Sequence, residues 1–206
     1  MISDTTYPFR LPRLPLLLQR LEPYIDRRTM FFHHDRHMQT YVDQLNKALA
    51  DYPEYHSWTL EELLRRLHEL PEALRTQVRN NGGGVYNHDL YFDLLAPAGQ
   101  EFPPELAEAF GGEDNWRQQM KAAALGLFGS GFVWLVRDES GALKILPLPN
   151  QDNPLSDGMQ PILPLDVWEH AYYLKHQNLR SDYIDSWFQV IHWDGVRQRL
   201  QETAKP

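Results

Sequence analysis

Hydrophobic positions along the chain follow two periods, first that of a helix and later that of a strand. Between about Asp26 and Ala50 there is no Pro or Gly, and Met30, Phe31, Tyr41, Val42, Leu45 and Leu49 recur at roughly helical spacing, which predicts one long helix. Before it, Pro8, Pro12, Pro15 and Pro23 interrupt residues 7–24 and predict an extended lead-in draped over a core. Tyr52-Pro53 ends the long helix, and Thr59 with Glu62 three residues on predicts a capped short helix over Glu61 to Leu70. After Pro71 a second helical stretch runs into Asn80-Asn81-Gly82-Gly83-Gly84 and resumes through Val85 to Phe92. Glycines inside a helix cost about 1 kcal/mol each relative to Ala. Close approach of the backbone to the first helix, or to groups over a site, is what would offset that cost.

The segment Leu95–Pro104 has the composition of a linker and separates residues 1–95, a helical hairpin, from residues 104–206. Residues 104–128 look helical, with Gly111-Gly112 as a break before a helix starting near Glu113. The period then becomes two: Gly131–Arg137, a turn at Asp138–Gly141, and Ala142–Leu148 form a hairpin, with a third strand over Ile162 to Trp168. From Ala171 to about Thr203 the chain is again helical in composition, broken near Asp194-Gly195. The expected fold is α+β: an N-terminal antiparallel helical hairpin and a C-terminal α/β domain with a small three-stranded antiparallel sheet.

Composition narrows the function classes. The chain has 206 residues, 42% of them hydrophobic, enough for a core. Twenty Lys+Arg against twenty-eight Asp+Glu leave a net charge of -8, which argues against non-specific nucleic-acid binding and against docking on an anionic membrane. An anionic substrate would need a locally positive approach. With no cysteine there is no disulfide, thiolate ligand or cysteine nucleophile, so metal ligands must be His, Asp or Glu. The first residues lack a basic region followed by an apolar one, and Leu14–Leu18 is too short to span a bilayer, so a cytoplasmic location is expected.

The candidate chemistry centres on Asp166-Val167-Trp168-Glu169-His170-Ala171-Tyr172-Tyr173. An acid and a histidine four apart share one side of either a strand or a helix, so Asp166 and His170 read as two ligands to one metal ion. Glu169 must aim outward, where a second subunit could supply its partner. His33, His37 and Tyr41 stack at i, i+4 and i+8 on the first helix, a stripe that serves equally as a satisfied semi-polar seam. His34 points a quarter-turn away. His88 lies just past the glycines on the antiparallel arm. His33 and His88 from the helical half would then meet Asp166 and His170 from the mixed half between the two. Three imidazoles and a carboxylate suit Mn, Fe or Zn and match Ca or Mg poorly. One coordination position stays open, and exchanging hydroxide for water there keeps the local charge constant through a one-electron reduction. A zinc hydrolase is the alternative, though no free Glu is poised as a general base. A non-catalytic scaffold is a third, and it would usually lack a ligand.

The stretch from Asp166 to Tyr173 resembles the metal-binding signature D-x-W-E-H-A-Y-Y of the iron/manganese superoxide dismutases. The resemblance extends from Leu11-Pro12-x-Leu14-Pro15 through His33-His34-x-x-His37, Asn80–Gly84, Asn87-His88, Phe128–Gly131, Asn150-Gln151-Asp152 and Asn178-x-Arg180-x-Asp182-Tyr183 to Trp193. It implies superoxide dismutation at one Mn or Fe ion per subunit, held by His33, His88, Asp166 and His170. Tyr41 and His37 would gate the substrate funnel, Tyr41 hydrogen-bonded toward Gln151, whose amide would tune the metal-bound solvent. Arg180, together with Arg36, would supply the positive approach. A structural ion pair is the other reading of Arg180. The resemblance also implies a homodimer pairing Glu169 with His170 of the partner subunit, and His37 with Tyr173 of the partner subunit. Gly84 together with Gln151 is the manganese arrangement, whereas Val85-Tyr86-Asn87-His88 is locally closer to the iron type. Phe92 and Phe132 stand where Trp is usual, Met38 where a second His is, and Ser181 where Pro is. Tyr172, Tyr183, Trp134, Trp168 and Trp187 read as packing, and His56, His68, His176 and His192 as surface residues.

Overall fold

In the lead-in, the Asn46 side chain bridges the Phe9 backbone in both directions, accepting from its N–H at 2.8 Å and donating to its carbonyl at 2.9 Å. Phe9, Leu21 and Ile25 are thereby buried, and the proline-interrupted strap covers the core as its composition implies. These features come from a computed structural model, which describes residues 2–204.

The first arm of the hairpin is one rod with a defect in it. Helix α1 (Arg27–Phe32) is capped by Asp26, whose Oδ1 accepts from Thr29 N–H at 3.0 Å. A π-helical turn, His33–Met38, follows and leads into α2 (Gln39–Leu49). The apolar periodicity gave no sign of this wider turn, which admits one extra residue and resets the faces beyond it. Thr59 and Glu62 make the expected reciprocal cap of α3 (Leu60–Arg65), which is shorter than Glu61–Leu70 because the chain tightens into a 3₁₀ turn at Leu67–Glu69. The second arm comprises α4 (Glu72–Gln77), a second π-helical turn at Val78–Gly82, and α5 (Gly83–Asp93), so the glycines lie within a continuous rod. A Cβ on Gly84 would come within 2.5 Å of the Tyr41 ring, and one on Gly83 would press into the Gln151 main-chain oxygen. Close approach is therefore what these glycines permit.

The C-terminal half begins with α6 (Pro104–Phe110), closed by Gly111 at φ 75°, and α7 (Glu113–Gly126). Strands β1 (Gly131–Arg137), β2 (Leu143–Pro149) and β3 (Gln160–Asp166) form an antiparallel sheet in the order β2-β1-β3. Prolines occur at 147 and 149 in β2 and at 161 and 164 in β3, the two flanking strands, and never in central β1. A proline cannot donate to a ladder, so this distribution sets the strand order. β3 ends at Asp166 rather than Trp168, because Asp166 Oδ1 accepts from Trp168 N–H at 2.9 Å and turns the chain into a 3₁₀ turn at Glu169–Ala171.

Helices α8 (Tyr173–His176), α9 (Arg180–Trp187) and α10 (Trp193–Thr203) complete the chain. The helical break falls at residues 188–192 instead of Asp194-Gly195. There the backbone pairs with the linker, Ala96 N–H on Val190 O at 2.8 Å and His192 N–H on Leu94 O at 2.9 Å, so the break ties the two halves. Gly195 sits inside α10, where a Cβ would lie 2.9 Å from the Leu94 side chain. Helix α5, buried along its length from Gly83 to Phe92, packs against both α2 and β3, and the core runs on across the halves. Among the described residues no helix is long and apolar enough to cross a membrane.

Candidate metal centre

Four side chains from three places in the sequence converge where α5, the first π-helical turn and the end of β3 meet. His33, His88 and Asp166 are buried and His170 is nearly so, and one ligand atom from each lies within 4.8 Å of all the others. Asp166 Oδ2 stands 2.9 Å from His33 Nε2, 3.2 Å from His170 Nε2 and 3.6 Å from His88 Nε2. The Nε2 atoms of His88 and His170 are 3.2 Å apart. The separations of 2.9–3.6 Å are those of atoms bound about 2.0–2.2 Å from one ion at angles of about 90–120°. The tautomer of His88 also fits. Its Nδ1 lies 2.6 Å from the Gly84 carbonyl, which only accepts, so the proton is on Nδ1 and Nε2 turns a lone pair to the centre.

Electrostatics favour a cation here. Burial lowers His33 to about 4 and His88 well below the usual imidazole value, so both are neutral and ready to bind at neutral pH. Burial by itself would raise Asp166, but the imidazoles of His170 and His33 outweigh it and hold the carboxyl well below its ordinary range. One anion and the neutral imidazoles of His33 and His88 then face one point, with His170 completing the donor set. This donor set fits Mn, Fe or Zn.

Around it the structure gathers the other sequence candidates. The His37 ring stacks on His170 at 4.6 Å, and Trp168 stacks on it at 5.4 Å, so His170 has both neighbours as ring partners. Trp168 Nε1 also donates to Asn150 O at 3.0 Å, which gives this residue a positioning role beyond packing. Gln151 Nε2 donates to Tyr41 Oη at 3.1 Å, and the Tyr41 ring lies 5.3 Å from that of His88. Burial raises the Tyr41 hydroxyl above its ordinary pKa, the Gln151 N–H offsetting part of the rise. Gln151 reaches this place from a left-handed residue, Asn150 at φ 54°, directly after β2.

Arg180 lies farther out and meets carbonyls rather than a carboxylate: Nη1 donates to Leu127 O at 2.8 Å, Nη2 to Gly129 O at 2.7 Å and Nε to Tyr172 Oη at 3.2 Å. It clamps the turn that leaves the Phe128 side chain wholly exposed. Arg36 is exposed above the Phe31 ring. His34 is turned from the centre, Nδ1 toward Asp35 and Nε2 toward the Pro12 carbonyl. Phe92 and Phe132 line the histidine cluster as apolar walls, their ring centroids 4.8 Å from His33 and 5.6 Å from His88 respectively. Met38 is fully buried. Tyr172 and Tyr183 stack on each other in the core, and Trp134 and Trp187 are buried, as read from sequence. His68 is exposed, whereas His56 stacks on Tyr7. Asn87 was given no role from sequence, yet its amide reaches both Gln151 and Asn153.

Residues 8–96 match the alpha-hairpin domain of the iron/manganese superoxide dismutases, and residues 98–199 match their C-terminal domain. This chain belongs to the iron/manganese superoxide dismutase family. Relatives named as manganese superoxide dismutases include one from Thermus thermophilus, 48% identical over 193 residues that cover 91% of this chain and 95% of the relative. Another, from Thermus aquaticus, is 47% identical with the same coverage, and a third, from Leptolyngbya boryana, is 43% identical over 98% of this chain and 86% of its own length. As a family member the chain is an oxidoreductase of the Mn/Fe dismutase type.

Proposed function

We propose that the protein is a manganese superoxide dismutase, converting superoxide to O2 and H2O2, with His33, His88, Asp166 and His170 as the ligands of one ion per subunit. The observation that carries this reading is the convergence of three imidazole Nε2 atoms and one carboxylate oxygen in a buried site with an amide and a phenol beside it. Held by these four residues, the ion would supply one-electron redox chemistry. The chain's own residues would do the rest. Phe92 and Phe132 exclude water, the Gln151 amide holds a donor toward the site, and Tyr41 holds a proton for the reduced oxygen product. His37, exposed in the single chain beside His170, stands at the mouth. Arg180 and Arg36 would supply the positive charge that an acidic protein otherwise lacks for drawing a small anion inward.

Manganese over iron is supported by the names of the relatives and by Gln151 arriving against Gly83, next to Gly84, whose missing side chain leaves the Tyr41 ring its place. A homodimer through His37, Glu169, His170 and Tyr173 belongs to the same reading. It is supported by a cavity of about 340 Å³ lined by those four together with Arg28, Phe32 and Leu174, of which Phe32, Tyr173 and Leu174 are exposed apolar or aromatic side chains. The expected cytoplasmic location goes with it. The test is superoxide removal by purified protein before and after chelation, then after reloading with Mn or Fe separately. Activity lost on chelation and restored best by Mn is expected. Activity indifferent to chelation rejects the reading, and full recovery with Fe alone rejects the metal assignment.

A further inference from the structure

Three of the four candidate ligands are fixed in the helical arms or at the end of a strand, whereas the fourth stands beside a stretch of chain that buries nothing. The side chains of His33, His88 and Asp166 are at most 1% exposed, and that of His170 is 10% exposed. Just after His170, Tyr172 is buried and stacked on Tyr183, which makes a first anchor. Arg180, held on the Leu127 and Gly129 carbonyls, makes a second. Between them none of residues 173–179 is buried, and Tyr173, Leu174 and Leu179 are 49%, 43% and 51% exposed. Lys175 ties this span to the lead-in, its Nζ donating to Tyr24 O at 2.8 Å and to Pro23 O.

The span is also strained. Gln177 takes φ 49° and ψ -122°, and Leu179 N–H closes on His176 O at 2.9 Å. Those angles and that bond belong to a type II′ turn, whose first central residue is ordinarily Gly because a Cβ there crowds the backbone. A glutamine persists in such a conformation only where its surroundings hold it, and here the holders are the two anchors and Lys175. Once Lys175 lets go, Gln177 can relax, so this span opens more readily than α5, which is buried along its length.

We infer that residues 173–179 form a spring-loaded flap beside His170, and that its opening is the route by which the metal ion reaches its ligands. Tyr173 and Leu174 line the cavity of about 340 Å³ that also holds His37 and His170. Lifting them turns the His170 imidazole to water while His33, His88 and Asp166 keep their places. The inference rests on the metal-centre reading, because ligand atoms this enclosed need an opening before an ion can enter. Assembly as proposed above sets a second copy against Tyr173, so the flap is free before the chains pair and covered afterwards.

Hydrogen–deuterium exchange of the full-length protein, read peptide by peptide in a mass spectrometer, measures the opening. The rate at which metal-free protein takes up divalent manganese alone, read by elemental analysis after a chelator quench, measures entry. Gln177→Gly relieves the closed flap and should slow both exchange over 173–179 and manganese uptake by about tenfold, the strain removed outweighing the looser open chain. Lys175→Met removes the tie and should speed both by about tenfold. Uptake unchanged in both variants overturns the inference, as does a flap that exchanges no faster than α5, or a failure of every form to take up manganese. If Lys175→Met does not fold, the comparison of Gln177→Gly with the parent protein decides. Manganese taken up at the flap-dependent rate without superoxide removal would count against the dismutase reading alone, because neither measurement needs turnover.

Discussion

The two halves deliver their ligands by opposite means. In the helical half, His33 and His88 are placed by what is missing: Gly84 has no side chain to hold off Tyr41 on the facing arm, and Gly83 has none to hold off the Gln151 main chain from the other half. In the mixed half, Asp166 and His170 are placed by bonds that are made, Asp166 Oδ1 to Trp168 N–H and Trp168 Nε1 to Asn150 O. A site built this way should fail through overpacking on one side and through lost hydrogen bonds on the other.

The largest break is Asp166→Ala, which removes the anion of the set. Metal content measured by elemental analysis after dialysis should collapse, with affinity falling beyond the roughly 10–100-fold typical of losing an outer partner. Next comes acid applied to the metal-free protein. His33 is lowered from 6.5 to about 4 by burial, so between those values the unfolded chain takes up a proton that the folded one refuses. Stability is therefore whole above about pH 6.5 and lost as pH falls toward 4, by about 3 kcal/mol for this group. Urea unfolding of metal-free protein at successive pH values checks this, and His33→Gln should flatten the slope. Third, Gly83→Ala should cost about 1–3 kcal/mol through overpacking, while its counterpart Trp168→Phe should cost about 1 kcal/mol through a lost hydrogen bond. Thermal unfolding of the two variants ranks them, and the contrast between the halves is wrong if Trp168→Phe proves the more damaging. Smallest is Thr59→Ala, about 1 kcal/mol from the cap of α3, with metal content unchanged.

The helical hairpin was legible because its stripe of Met30, Val42, Leu45 and Leu49 has one period and no interruption, and the sheet because the period changes at Gly131. The four candidate ligands were legible from spacing and resemblance together. What escaped had no local signal. Both π-helical turns depend on bonds one residue longer than the helical ones, to which apolar spacing is blind. The Asp166–His170 spacing was read as one strand or one helix, yet the chain bends between them at a turn made by the Asp166 carboxylate itself. The break at 188–192 has no local signal because a backbone pairing with the linker accompanies the end of α9, while Gly195 serves packing against Leu94 inside α10. Asn87 carries no local signal, because an asparagine beside a histidine says nothing until Asn153 arrives from sixty-six residues away.

The prolines of β2 and β3 reach beyond strand order. A ring nitrogen at positions 147, 149, 161 and 164 interrupts the row of backbone donors in each flanking strand, so a foreign strand laid along either one would meet gaps in its ladder.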